Sequence, residues 1–348
     1  MGVNPLFFGI AALDMEGVEP RPAVGLNVQA GLCGLTLPGA SPLHAALFYP
    51  SASPERPIGI GRFSLSVAMN GTPTDATKGL IILSHGLSGS EVVHHNLGEY
   101  LARQGYLVVA PLHAGDNWYD RSLINSTNFF LERSIQLSRV LDGVLAHPEW
   151  GERVPNGKIG AIGFSMGANS VLVLLGAKID TGKAIEYLGK VKGPFKPMLE
   201  AALKGMLLEP KIISSNICDG RVRAAVIMAP FCSLLNTSSV RQINIPIKTY
   251  TAEHDDNGLN GDWLREQLPA SEFEMIKGAG HFVFTAQRRR SPKELGADIP
   301  LTTGDAISDF LMNLDADQHN FDRSAFHKYL EEDAARFFGM TLQDKAEI

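Results

Sequence analysis

The sequence predicts an α/β protein with a mostly parallel central sheet flanked by helices, and three observations carry that expectation. From residue 78 onward short apolar runs recur with helical stretches between them, the pattern of βαβ units. Most of these runs are apolar on both faces, as strands covered by helices on both sides must be. The pentapeptide Gly163-Phe164-Ser165-Met166-Gly167 stands between one such run and a helical stretch, which marks a strand turning sharply into a helix.

Taken in order, residues 24–37 are rich in Gly and apolar side chains, residues 43–49 form an apolar run ending at Pro50, and residues 62–69 alternate. Together they predict an N-terminal β extension. Parallel strands follow at 79–84, 106–111, 158–163, 222–229, 247–251 and 273–276. Helices are expected at 92–104, 125–146 and 167–177. Near the end, 321–338 places Phe326, Tyr329, Leu330, Ala334 and Phe337 on one helical face, a stripe that reads as core packing. One connection fits the alternation poorly. A plain crossover needs about a dozen residues, and the segment 178–221 is far longer, with an apolar stretch at 199–208 and breaks at Gly193-Pro194 and Lys196-Pro197. It predicts a helical cap-like insertion over one end of the sheet. No internal repeat or Pro/Ser-rich linker divides the chain. Although 348 residues would allow two domains at roughly 150 each, residues 1–348 are expected to form one.

Composition removes several classes of function. Charged residues are 20% and the hydrophobic set is 45%, an ordinary globular balance that excludes collagen-like, coiled-coil and disordered readings. A net charge of −6 argues against a nucleic-acid binder that relies on a broad basic surface. The dense basic run Arg288-Arg289-Arg290 is too short for a polybasic patch. No stretch approaches the roughly 18 consecutive apolar residues of a membrane span. Cys33, Cys218 and Cys232 lack metal-binding spacing; buried thiols are favoured over a Cys218–Cys232 bridge. The apolar patch at 6–10 has no basic residues before it, so a signal peptide is weakly supported. The cytoplasm is slightly favoured, with a secreted or periplasmic location left open.

The chemistry centres on Ser165. Turning from strand to helix at a single residue strains its backbone and thrusts its hydroxyl into the open, and small neighbours two positions away on either side prevent collision. A serine hydroxyl needs a base, and the base an orienting acid. In chain order the acid precedes the histidine. His281 lies in the Gly-rich loop Gly278-Ala279-Gly280-His281-Phe282, directly after a strand, and is the expected base. His319 and His327 read as surface residues. For the acid, the strand at 247–251 runs into Glu253-His254-Asp255-Asp256. Asp255 is favoured and Asp256 is the alternative; the turn after the preceding strand, Met228-Ala229-Pro230-Phe231, offers no carboxylate. No metal is expected. Aligning Gly258 with the sixth position of a calcium loop leaves Leu264 at the twelfth, where a carboxylate is required, and His94-His95 cannot face one zinc ion from a helix.

Acyl transfer also needs donors for a developing oxyanion. The N–H of Met166, at the helix start, is one candidate. The second is the N–H of Leu87, in the loop His85-Gly86-Leu87-Ser88-Gly89 that follows the strand at 79–84. His85 then reads as a structural hydrogen-bonding residue beneath that loop. Trp118 and Tyr119, in the loop after Pro111, are candidates for lining the substrate pocket, with simple loop packing as the alternative.

Several of these stretches resemble the α/β-hydrolases of the dienelactone hydrolase-like group, which includes platelet-activating-factor acetylhydrolases and related bacterial esterases. The resemblance rests on Leu83-Ser84-His85-Gly86-Leu87-Ser88-Gly89, on 97–111 with its ending RQGYLVVAP and His113 beyond, on Leu137-Ser138-Arg139-Val140-Leu141-Asp142, on the Ser165 turn and on Gly280-His281-Phe282. In that group the residue after His-Gly supplies an oxyanion N–H, which maps onto Leu87. True dienelactone hydrolases use a cysteine nucleophile where this chain has Ser165, so dienelactone chemistry is not implied. The acetylhydrolase-type acid follows an earlier strand, where this chain has Ala229-Pro230. The expectation is a serine hydrolase acting on carboxylic esters without a cofactor, with an amidase or lactonase on the same residues as the alternative. A small-molecule ester is the expected partner; oligomeric state is left open.

Overall fold

The computed structural model describes residues 12–14, 28–124, 126, 128–190, 196, 200, 212–213, 217–255, 261–287 and 321–343. Its frame is an eleven-stranded sheet among these residues. In chain order the strands are β1 (Ala12–Asp14), β2 (Gln29–Leu37), β3 (Leu43–Ser51), β4 (Arg56–Ile60), β5 (Phe63–Met69), β6 (Leu80–Ser84), β7 (Leu107–Leu112), β8 (Ile159–Phe164), β11 (Val222–Met228), β12 (Ile247–Ala252) and β13 (Glu272–Ile276); β9 (Ile179–Asp180) and β10 (Ile212–Ile213) form a separate antiparallel pair. The spatial order is β1-β4-β5-β2-β3-β7-β6-β8-β11-β12-β13.

From β7 to β13 the sheet is parallel. β3 joins it antiparallel, pairing Phe48 with Val108 through to His44 with Leu112. The expected N-terminal β extension is therefore a continuation of the central sheet, carried by β3 against β7. Sequence reading missed β1 and β4. β1 has three residues, and Pro57 early in β4 weakens that strand's alternation.

Helices cover both faces. On one side lie α1 (His95–Arg103) and the C-terminal helix, numbered α7 (Arg323–Thr341); on the other lie α2 (Phe129–Leu145) and α3 (Met166–Leu174). The strands feed both layers alternately: within β8, Ala161 packs toward α2 and α3, and Ile162 toward α1 and α7. That two-sided burial is why these runs read as apolar throughout. The C-terminal stripe needs one correction. Phe326, Leu330, Ala334 and Phe337 are buried, but Tyr329 is exposed and its hydroxyl donates to Glu274 Oε2 at 2.7 Å. His327, expected at the surface, is buried, and its Nε2–H donates to the Val283 carbonyl at 2.7 Å. α7 packs on the loop after β13, so the face next to the stripe is covered as well.

The connection from β8 to β11 opens with β9 and α4 (Thr181–Lys190) and returns through β10. Apart from Glu200, the apolar stretch at 199–208 of the expected cap lies outside the described residues. Two short helices that the sequence reading did not anticipate, α5 (Thr237–Val240) and α6 (Gly261–Gln267), flank β12. No disulfide joins the three cysteines; Cys232 is buried, Cys33 partly so, and Cys218 is exposed, contrary to its expected burial. The parallel register brings the carboxyl ends of β6, β8, β12 and β13 to one edge, with Ser84 beside Gly163 and Ala252 beside Ile276.

Candidate active site

At that edge β8 ends and α3 begins with only Ser165 between them. Ser165 has φ 53° and ψ −114°, a conformation that L residues rarely adopt. The flanking glycines are steric requirements of this turn. A Cβ on Gly167 would lie 2.1 Å from the Ser84 carbonyl oxygen, and one on Gly163 would lie 2.4 Å from the Gly167 carbonyl oxygen. Backbone bonds hold the turn: the Ser165 N–H donates to the Met228 carbonyl at 2.9 Å, and the Ser165 carbonyl accepts from the Phe231 N–H at 3.1 Å.

His281 reaches the serine from the loop after β13. Its Nε2 is 2.9 Å from Ser165 Oγ, and its Nδ1 is 2.7 Å from Asp255 Oδ2. Asp255 lies in the turn after β12, where its N–H bonds to the Ala252 carbonyl at 3.2 Å. With an ionised Asp255, Nδ1 carries the proton, and Nε2 is left with its lone pair toward the hydroxyl. The structure thus brings together Ser165, His281 and Asp255 in one hydrogen-bonded line. Asp256, the alternative acid, lies outside the described residues.

The loop after β6 crosses the start of α3. A Cβ on Gly86 would sit 3.5 Å from Ser165 Cβ, so the loop passes within contact of the serine. Among the described residues neither the Leu87 N–H nor the Met166 N–H donates to a protein acceptor. Met166 opens α3, so its N–H belongs to the unpaired first turn of a helix and can bind an anion.

Beneath this loop sits a buried polar cluster. His85 Nδ1–H donates to the Gly86 carbonyl at 2.7 Å, and its Nε2 accepts from the His113 N–H at 3.3 Å. His113 Nε2 accepts from Ser84 Oγ at 2.9 Å, and its Nδ1–H faces Gln136 Oε1 at 3.2 Å. Burial, then the Arg133 charge, hold both imidazoles well below the usual histidine range, so both are neutral. Arg133 itself is fully buried, 2.5 Å from Asp116 Oδ2. Sequence reading missed Arg133, Asp116, Gln136 and Ser170. A signal existed: Arg133 and Ser134 interrupt the apolar face of α2 that runs from Phe130 to Leu137, Leu141 and Val144. A charge in such a stripe requires a buried partner.

Trp118 and Tyr119 are 44% and 53% exposed and stack edge to face, their rings 5.3 Å apart. The Trp118 N–H donates to the Gly89 carbonyl at 2.9 Å, which ties their loop to the Leu87 loop. On the opposite side, Tyr187 of α4 packs edge to face on Phe231, 5.3 Å between centroids. Burial, then the charge of Asp255, push its phenol up. Among the described residues no group of His, Cys, Asp and Glu could hold a metal ion, and no helix is long and apolar enough to cross a membrane.

Comparisons with known proteins bear on the fold. Residues 67–205 match the model of the dienelactone hydrolase family. The chain has the α/β-hydrolase fold. Among solved structures, this chain is similar to a ferulic acid esterase from Streptomyces cinnamoneus, at 17% identity over 94% of each chain with a TM-score of 0.57. It is also similar to a puromycin-hydrolyzing peptidase of Mycobacterium tuberculosis, at 10% identity over 93% of this chain and 41% of the other, TM-score 0.51. A dienelactone hydrolase from Anabaena variabilis aligns at 15% identity over 90% of this chain and 100% of its own, TM-score 0.48. No curated protein matches.

Proposed function

We propose that this hydrolase cleaves carboxylic esters through a Ser165–His281–Asp255 triad and an acyl-enzyme. His281 Nε2 takes the Ser165 proton as Oγ attacks the ester carbonyl carbon. The carbonyl oxygen becomes an oxyanion, held by the Leu87 and Met166 N–H groups, and such donors are each typically worth roughly 3 kcal/mol. As the intermediate collapses, the bond to the alcohol oxygen breaks and His281 hands its proton to the leaving alcohol. The same histidine then deprotonates water for attack on the acyl-enzyme, and Ser165 regains its proton as the carboxylic acid departs. Asp255 holds the His281 tautomer that leaves Nε2 free to accept. No cofactor takes part.

The observation that carries this reading is the unbroken line from Asp255 Oδ2 through His281 to Ser165 Oγ, at 2.7 and 2.9 Å, on a serine held at positive φ. Ser165→Ala tests it: hydrolysis of a p-nitrophenyl ester should fall by several orders of magnitude. Activity retained within about tenfold would overturn the assignment. Because pocket contacts choose the scissile bond, matched ester, amide and lactone substrates assayed side by side separate an esterase from an amidase or lactonase.

A further inference from the structure

Arg133 makes a set of contacts that packing alone does not call for. From α2 its Nη2 donates to the His85 carbonyl oxygen, its Nη1 lies 2.5 Å from Asp116 Oδ2, and its Nε donates to Ser170 Oγ at 3.0 Å. The other Asp116 oxygen, Oδ1, accepts from the Ser88 N–H at 2.8 Å. His85 and Ser88 are the residues on either side of Gly86-Leu87. One buried ion pair therefore grips the Leu87 loop from both ends, by the carbonyl before it and the N–H after it. Through Ser170, whose hydroxyl donates to the Met166 carbonyl at 2.8 Å, the same guanidinium also reaches the first turn of α3.

Both backbone segments assigned to the oxyanion thus meet at one planar group. A guanidinium suits this because its donors diverge in fixed directions, whereas an ammonium is a point charge on a flexible stem. An apolar pair of similar volume would fill the same space without the cost of desolvating two charges. We propose that Arg133, with Asp116, is a positioning residue that aims the Leu87 and Met166 N–H groups at the oxyanion. This rests on the serine-hydrolase reading above, since it assigns no chemistry of its own to Arg133.

The experiment compares Arg133→Lys, Ser170→Ala and the double variant Arg133→Met/Asp116→Leu with the wild type. It measures kcat and KM on a p-nitrophenyl ester, the melting temperature, and affinity for an aryl trifluoromethyl ketone, which forms a tetrahedral oxyanion on a nucleophilic serine. Losing a whole oxyanion donor costs about 100- to 1,000-fold in kcat. Misaimed donors should cost less, about 10- to 100-fold for Arg133→Lys and about 5- to 10-fold for Ser170→Ala. KM should stay within about threefold and ketone affinity should fall in step with kcat/KM. The double variant should regain the wild-type melting temperature without regaining kcat. A merely structural role predicts the opposite, with kcat returning as stability returns, and that result would overturn the proposal. It is equally overturned if Arg133→Lys and Ser170→Ala both keep kcat within about threefold. If Arg133→Lys does not fold, Ser170→Ala decides by the same criterion. Ser165→Ala in the same assay separates the two claims: retained activity there sinks the esterase reading, whereas an inactive Ser165→Ala beside fully active Arg133 and Ser170 variants sinks only the positioning role.

Discussion

At Ser165 a non-glycine residue is held at φ 53°, a strain of order 1–3 kcal/mol that must be offset by its surroundings. The bonds from Met228 and Phe231, on a neighbouring strand and the turn beyond it, supply that support, so the elbow depends on β11 as much as on its own five residues. Gly167 is the tightest point. An added Cβ would meet two carbonyl oxygens, of Ser84 at 2.1 Å and of His85 at 2.6 Å, and neither is a flexible side-chain end. Gly167→Ala should therefore lower stability by about 1–3 kcal/mol, as overpacking does. It should also depress kcat, because the Leu87 loop must move away from the serine. Urea unfolding and ester turnover on the same preparation check this; unchanged kcat with lost stability would separate the loop's position from the chemistry. The residue pattern around Ser165 was legible because every part of it is local. Asp116, Arg133 and Ser170 were not, because the contacts that join Arg133 to the other two cross 17 and 37 residues of sequence.

Among the elements, α7 shows how a terminal helix is locked to a sheet. It starts at Asp322, whose Oδ1 accepts from the Ala325 N–H at 3.0 Å. Midway along, buried Asp333 bonds both Lys248 and Tyr250 of β12. Burial pushes the Asp333 carboxyl up, but its bonds to Lys248, Tyr250 and Arg336 outweigh burial and hold it below the usual carboxylate range. Asp333→Ala would leave the Lys248 ammonium buried with, among the described residues, Glu272 at 3.2 Å and Glu274 at 3.9 Å as acidic partners. The loss should be near the lower end of what breaking a buried pair costs, about 3 kcal/mol. Chemical denaturation measures it, and a loss under about 1 kcal/mol would show that the two glutamates take over. The hydrophobic stripe of α7 was readable from its period. Burial of His327 was not, since it depends on a loop 44 residues earlier in the chain folding back onto the helix.

For the molecule as a whole, the edge that carries the candidate site also bears groups whose protonation is tied to folding. Glu91 is buried just beyond the Leu87 loop, its Oε2 without a hydrogen-bond partner among the described residues. Burial raises its pKa from 4.5 to about 7. Between those values the folded chain holds a proton that the unfolded chain has released, so stability falls as pH rises across this window, and the loss is complete above it. The cost at pH 8 is about 3 kcal/mol. Glu91→Gln should match the wild type near pH 4.5 and exceed it by up to that amount at pH 8, as followed by melting temperature across the range. A stability difference that does not vary with pH would refute the linkage. His94 acts at the other end. Burial lowers its pKa to about 3, so stability falls as pH drops below 6.5.

By itself the sequence determined the parallel α/β frame, the Ser165 turn and the Ser–Asp–His order along the chain. Those features follow from period, turn chemistry and strand ends, which neighbouring residues impose on one another. The tertiary structure alone decided that β2–β5 extend the central sheet through β3, and that Asp255 stands 2.7 Å from His281. It also decided that Arg133 and Asp116 clamp both sides of Gly86-Leu87. A buried polar group must find a partner, but which partner it finds is set by how distant segments pack, and the local pattern around Arg133 does not contain that information.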